Sequence, residues 1–221
     1  MKIARLALLP LAVLLLSACN PLMRASWDTL KAATQGPQPL ELTRAQVQAV
    51  PYYQIVVTAP TGEAVMALVR LQEGVQFWLA STQQVLMMED GLAIRSVGFN
   101  DNLYGTRFVG ESPFRTGLHR IPDGLRTERT LDFNNRYQVG VRLLSRFQKQ
   151  GLETVRILDR DLELLRVDEQ IEASELGFSA RNQYWVDPAD GFIMASIQHV
   201  TPELPLRIVQ VRPLRPGQAV E

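Results

Sequence analysis

The sequence predicts a mainly β fold: a single domain with a large curved antiparallel sheet (half-barrel or sandwich-like), a few short helices and an N-terminal signal peptide. Three observations predict it. From Tyr52 onward the chain is a succession of short runs rich in Val, Ile, Leu, Tyr and Trp, residues that fit a pleated, half-buried surface. Turn compositions separate the runs: Pro60-Thr61-Gly62-Glu63, Gln72-Glu73-Gly74 and Glu89-Asp90-Gly91, where Asp-Gly is a strong hairpin signal. A β-α-β alternation needs helical segments of about 10–15 residues between strands, and none is evident.

The elements follow in order. Ser26 can cap a helical turn over Trp27 to Ala33, ended by Gln35-Gly36-Pro37. Thr43 caps a short helix to Ala49, and Pro51 stops it. Strands are expected at Tyr52 to Thr58, Ala64 to Leu71, Val75 to Ala80, Val85 to Met88 and Leu92 to Val97. Gly98 to Asp123 is irregular, and Leu103 to Phe108 reads as either helix or loop. Strands resume at Arg126 to Phe133, Val139 to Gln148, Glu153 to Leu158 and Leu164 to Ala173. In the last of these the alternation breaks at Glu169, so a helix across Asp159 to Glu175 is the alternative. Tyr184 to Asp187, Phe192 to Val200 and Leu206 to Val211 complete the series, with Asp187-Pro188-Ala189-Asp190-Gly191 as a tight turn between two of them.

The start of the chain has a different character. Lys2 and Arg5 precede an apolar stretch, Leu6 to Leu16, followed by the small residues Ser17 and Ala18. A basic start, a short apolar core and small residues at its end make a secretory signal peptide. The stretch is shorter than the ~20 residues that span a bilayer. Leu16-Ser17-Ala18-Cys19 resembles the bacterial lipobox, in which the cysteine sulfur receives a diacylglyceryl group and the new amino terminus is acylated. A thiolate is the strong nucleophile that such a transfer needs. Cys19 is the only cysteine, so an internal disulfide or a multi-thiolate zinc site is excluded. Three acyl chains anchor a protein firmly where one binds marginally. Asn20 stands where many inner-membrane lipoproteins carry Asp, so that resemblance implies the outer membrane, with the body facing the periplasm. The expected organisation is a signal peptide at 1–18, a lipidated tether at 19–40 and a β-rich domain at 41–221.

The whole chain has 23 basic and 23 acidic residues, and removal of Lys2 and Arg5 leaves a slightly acidic body. Nothing in that balance points to nucleic acid. Arginine supplies nearly all the positive charge, and its guanidinium pairs bidentately with carboxylates and phosphates. The arginines suit either an acidic polymer or ordinary surface pairing.

Two segments carry a family resemblance. One is Tyr52-Tyr53-Gln54-Ile55-Val56-Val57 after Pro51. The other is Asn182-Gln183-Tyr184-Trp185-Val186-Asp187, leading to Gly191-Phe192-Ile193-Met194-Ala195-Ser196-Ile197-Gln198 and Pro202. With the strand, Asp-Gly turn, strand and Asn-Leu of Leu86 to Leu103 between them, the order resembles the YjbF/GfcB family of group 4 capsule polysaccharide lipoproteins. Where that family has Gly-Leu, this chain has Gly98-Phe99. The resemblance implies an outer-membrane lipoprotein that serves exopolysaccharide or capsule production or export. It also implies a broad curved antiparallel sheet, and brings no catalytic residues with it.

The chain has no Gly-x-Ser-x-Gly, His-Glu-x-x-His or Walker loop. Its two histidines, His119 and His199, make a poor metal set by spacing. Asp187 and Asp190 flank a turn, which explains them as well as a glycosidase pair would. The expectation is a non-enzymatic protein with no cofactor beyond the lipid on Cys19. Its partners are the inner leaflet of the outer membrane and either polysaccharide or proteins of the export machinery. A glycan patch can be drawn from Trp185, Asp187, Asn182 and Gln198, an aromatic platform beside planar polar groups, or from Trp78 near Gln76. The competing assignment puts Trp185 in the core and has Gln198 satisfying a buried backbone group. An alternative function is a carrier of lipid or glycolipid, with Met87-Met88 as an adaptable lining.

Overall fold

The computed structural model describes residues 40–133, 138–215 and 217. The signal peptide, Cys19, Asn20 and the expected turn at Trp27 to Ala33 lie outside the described residues. The domain opens with helix α1 (Arg44–Ala49). Thr43 caps it through its hydroxyl, and the Gln46 side chain returns the bond to the Thr43 backbone, a capping box. Twelve antiparallel strands follow: β1 (Gln54–Ala59), β2 (Gly62–Gln72), β3 (Val75–Ala80), β4 (Val85–Glu89), β5 (Leu92–Val97), β6 (Leu103–Phe108), β7 (Arg126–Phe133), β8 (Gln138–Ile157), β9 (Arg160–Ala173), β10 (Phe178–Val186), β11 (Ile193–Thr201) and β12 (Leu204–Arg212). A four-residue helix, α2 (Pro113–Thr116), sits between β6 and β7.

All twelve strands form one sheet in the order β5-β4-β3-β2-β1-β12-β11-β10-β9-β8-β7-β6. Each strand pairs with its neighbour in sequence except β5 with β6, and β1 pairs with β12 to join the two halves. The two ends of the order, β5 and β6, are consecutive in the chain. They meet through side chains: the Leu103 N–H donates to Ser96 Oγ at 3.0 Å and Arg95 Nε to the Tyr104 carbonyl at 2.6 Å. The sheet is therefore nearly closed, which leaves little exposed edge.

Three expectations are settled by the pairing. Val139 to Gln148 and Glu153 to Leu158 are one strand, β8, which runs through an irregularity at Lys149/Gly151. The undecided Leu103 to Phe108 is strand β6, and Asp159 to Glu175 is not a helix, because its first fourteen residues from Arg160 form β9. The Asp-Gly signal performs as expected: Asp90 and Gly91 both have positive φ, 50° and 83°, as a tight hairpin turn requires.

Inward side chains fill the closed sheet. At one end Ile55, Met66, Trp78, Leu86, Leu143 and Leu206 pack together. At the other, Phe114 and Leu118 from the α2 segment plug the opening over Phe147, Val167 and Tyr184, with Phe114 edge-on to both aromatic rings. A third cluster lies on the outer face. The far ends of β8 and β9 fold over β10, β11 and β12, and Ile157 and Leu164 pack on Met194, Ala195 and Val209. At the tip of that hairpin Asp159 is paired with Arg44 of α1.

Candidate functional site

The plugged end of the sheet carries a cavity of about 380 Å³, within the ~300–1,000 Å³ span of small-ligand sites. The β2–β3, β4–β5 and β10–β11 turns, the α2 segment and the chain after β12 surround it. Gln76 of β3 and Gln210 of β12 line it, as do Arg115, Arg120, Arg215 and Phe192. Gln76 Oε1 accepts from the Trp78 indole at 3.2 Å, which leaves the Gln76 amide nitrogen as a donor. Gln210 is 5% exposed, and its Oε1 has no donor among the described residues.

Arg215 organises one wall. It donates to Asp187 at 2.9 Å and to Asp190 at 2.5 Å, and its guanidinium lies 5.2 Å from the Phe192 ring centre, a cation-π contact. The same two carboxylates accept backbone bonds within their turn, Asp187 from Ala189 and Asp190 from Phe192. Burial pushes the Asp187 carboxyl up, but the Ala189 N–H and Arg215 outweigh it and hold it below the usual range. Turn geometry and Arg215 thus account for both aspartates. Against the same turn stands His119, whose Nε2 accepts from Arg120 Nε at 3.0 Å. The His119 ring presses on the Gly191 backbone so closely that a Cβ there would lie 2.2 Å from Cε1.

The four residues of the expected glycan patch do not share a surface. Asn182 and Gln198 point into the closed sheet and are 1% and 2% exposed. Gln198 spans the interior from β11 to β5, where its Oε1 accepts from the Ala93 N–H at 3.0 Å and its Nε2 donates to the Gly91 carbonyl at 2.9 Å. Asn182 Oδ1 accepts from the His199 N–H at 2.8 Å. Trp185 projects from the other side of β10, half-buried beneath the β8–β9 hairpin, with its indole bonded to Glu153 at 2.8 Å. Trp78 is fully buried. The physical reason is strand periodicity: 182 and 185 differ by an odd number, so they lie on opposite faces. Under the lipid-carrier alternative, Met87 and Met88 divide the same way. Met88 is 1% exposed in the core, and Met87 faces outward.

The break in alternation at Glu169 marks a feature that sequence reasoning missed. Glu169 is fully buried on the inner face, paired with Arg129 of β7. Ser145 donates to it at 2.6 Å, and Asn182 and Tyr184 each donate at 2.9 Å. Burial pushes the carboxyl up, but Arg129 and these hydroxyl and amide donors overcome it and hold it below the usual range. Burial and the neighbouring Glu169 charge push the Tyr184 phenol well above its ordinary value. The group is closed to solvent, and its bonds join four neighbouring strands. Among the described residues no three of His, Cys, Asp and Glu are grouped so as to hold a metal ion.

A nearly closed antiparallel sheet with a plugged, polar-lined end defines the class by architecture, a single-sheet β domain. The chain belongs to the family described as group 4 capsule polysaccharide lipoprotein gfcB, YjbF, whose pattern matches residues 27–211. It is 27% identical to the lipoprotein GfcB of Escherichia coli (strain K12) over 194 residues, 86% of this chain and 90% of that one. It is 25% identical to the lipoprotein YjbF of the same organism over 192 residues, 86% of this chain and 89% of the relative. The crystal structure of the lipoprotein YmcC from Escherichia coli (K12) has the same fold. Its TM-score is 0.71 at 24% identity, covering 79% of this chain and 91% of that one.

Proposed function

We propose that the protein is a lipid-anchored accessory factor of the outer membrane, facing the periplasm. It holds a segment of exopolysaccharide in the end cavity during production or export, without catalysing a reaction on it. The observation that carries this reading is the unpartnered Gln210 Oε1 in the cavity wall. A buried acceptor with no donor costs roughly 1–3 kcal/mol, and a ligand rich in hydroxyls supplies the donor. The Gln76 amide and the Phe192 ring add the polar and apolar contacts that a sugar ring presents. The non-catalytic role rests on how the nearby carboxylates are engaged: Asp187 and Asp190 in the turn and with Arg215, Asp90 with Arg115 at 3.8 Å, Glu169 in the interior.

The test is complementation of a strain lacking the gene. Gln76→Leu/Gln210→Leu should accumulate to the wild-type level yet give less surface polymer than the wild-type copy. Undiminished polymer would overturn the cavity as the site. Sorting is tested separately, because Asn20→Asp should move the protein to the inner-membrane fraction in a bacterium that reads Asp at that position. An unmoved protein would remove the argument for the outer membrane.

A further inference from the structure

The outer face of β7 to β10 carries a straight row of side chains: Arg126, Arg146, Gln170 and Arg181. The register sets it out, with Arg126 opposite Arg146, Arg146 opposite Gln170, and Gln170 opposite Arg181. All four are exposed. At the ~4.8 Å spacing of neighbouring strands the row is about 14 Å long. Like charges directly opposite each other on a sheet are destabilising. Yet Arg126 and Arg146 face one another, and neither has an acidic partner among the described residues. Arg181 is 62% exposed and lies 4.0 Å from Asp168, a carboxylate already held by Arg166 through bonds of 2.8 and 3.0 Å.

The row connects to the end cavity. A groove of about 580 Å³ runs between the α2 segment and the outer face of β7 and β8, and both Arg120 and Arg126 line it. Arg120 also lines the end cavity, so one arginine borders both. Of the two acids of the groove, Glu128 is neutralised by Arg142 at 2.9 Å through both oxygens, and among the described residues Glu111 accepts only from the Thr116 hydroxyl at 3.4 Å. Beside the arginine row on the same face, Gln148 and Gln183 stand opposite Asp168 from either side. Guanidinium groups spaced along a line, interleaved with amides, match a chain that carries both carboxylates and hydroxyls.

We infer that Arg120, Arg126, Arg146 and Arg181 form a track for an anionic polysaccharide, leading from the end cavity across the outer face of the sheet. This rests on the proposed function and names its substrate class: an acidic glycan rather than a neutral one. An exposed electrostatic track is screened by salt, so its affinity falls as ionic strength rises.

The test uses the full-length protein in detergent micelles, with polygalacturonate as the acidic probe and dextran of matched length as the neutral one. Wild type should bind polygalacturonate more tightly than dextran, and more weakly as sodium chloride is raised. Arg126→Ala/Arg146→Ala/Arg181→Ala should weaken polygalacturonate binding by about tenfold, the loss of ~1.4 kcal/mol. Its melting temperature should be unchanged or higher, since the facing positive charges are gone. Equal binding by variant and wild type would overturn the track. So would equal affinity for dextran, or binding of phosphatidylglycerol in mixed micelles in place of polygalacturonate. Gln76→Leu/Gln210→Leu separates the two ideas. A track that fails while this variant still lowers surface polymer leaves the cavity reading intact, and undiminished surface polymer removes the cavity reading by itself.

Discussion

Arg129 of β7 and Glu169 of β9 meet inside the closed sheet across the intervening strand β8, whose Ser145 bonds to both. Arg129 Nη1 lies 3.4 Å from the Ser145 hydroxyl, and that hydroxyl donates to Glu169 at 2.6 Å. The pair is 4% and 0% exposed. Breaking such a pair strands a charge in the interior, whereas replacing it whole by apolar groups is often neutral.

Arg129→Met should therefore destabilise the domain by about 3–5 kcal/mol, because Glu169 is left buried without its cation. Equilibrium denaturation in urea reads the loss. A change under about 1 kcal/mol would show that water reaches Glu169 and that the interior is less closed than the burial implies.

The same pair sets the acid limit of stability. Glu169 is held below its ordinary value of 4.5, so the folded protein binds that proton less readily than the unfolded chain. Its contribution is fully present above the ordinary carboxylate range and is lost as pH falls through the depressed folded value. Stability measured from pH 6 downward, a range of about two to three units, should fall below about pH 4.5. Glu169→Gln should start lower and lose less over the same interval. Parallel curves for the two proteins would assign the acid transition to other groups.

Gln198→Leu removes the amide that spans from β11 to the Ala93 N–H and Gly91 carbonyl of the β5 segment. Each buried backbone group left unpaired costs roughly 1–3 kcal/mol. Amide hydrogen exchange should accelerate first at Ala93, where the side-chain acceptor is lost. Unchanged protection there would mean that the cross-interior bond contributes nothing to holding β5.

Gly191→Ala should narrow the end cavity and destabilise the β10–β11 turn. Its φ is +82°, and the added Cβ would lie 2.2 Å from His119 Cε1. The left-handed backbone alone disfavours alanine by roughly 1 kcal/mol, and the His119 contact adds to it. A loss no larger than that ~1 kcal/mol backbone cost would mean that the His119 ring swings aside freely.

The turns and most strands were legible because they are local. Asp90-Gly91 and the capping pair Thr43 and Gln46 act within four residues, and both behave as their sequences say. The family match was likewise legible in the Tyr184 to Gln198 hairpin. The end cavity was not, since Gln76, Gln210, Arg120 and Phe192 come from four distant segments and only closure of the sheet assembles them. Two further signals are present in the sequence. The odd separation of Asn182 and Trp185 already placed them on opposite faces. The charged residue that interrupted the alternation at Glu169 signalled an inward ion pair rather than a change of secondary structure.

By itself the sequence determined the strand and turn series, the antiparallel class and the expectation of a lipid-anchored start, because each depends on short-range pattern. Only the tertiary structure decided that β1 joins β12, that β8 runs unbroken through Gly151, and that Arg129 finds Glu169. Side-chain alternation tells which residues share a face of one strand. It does not tell which strands stand side by side or which face closes inward, and those choices are settled when the whole sheet buries its apolar side at once.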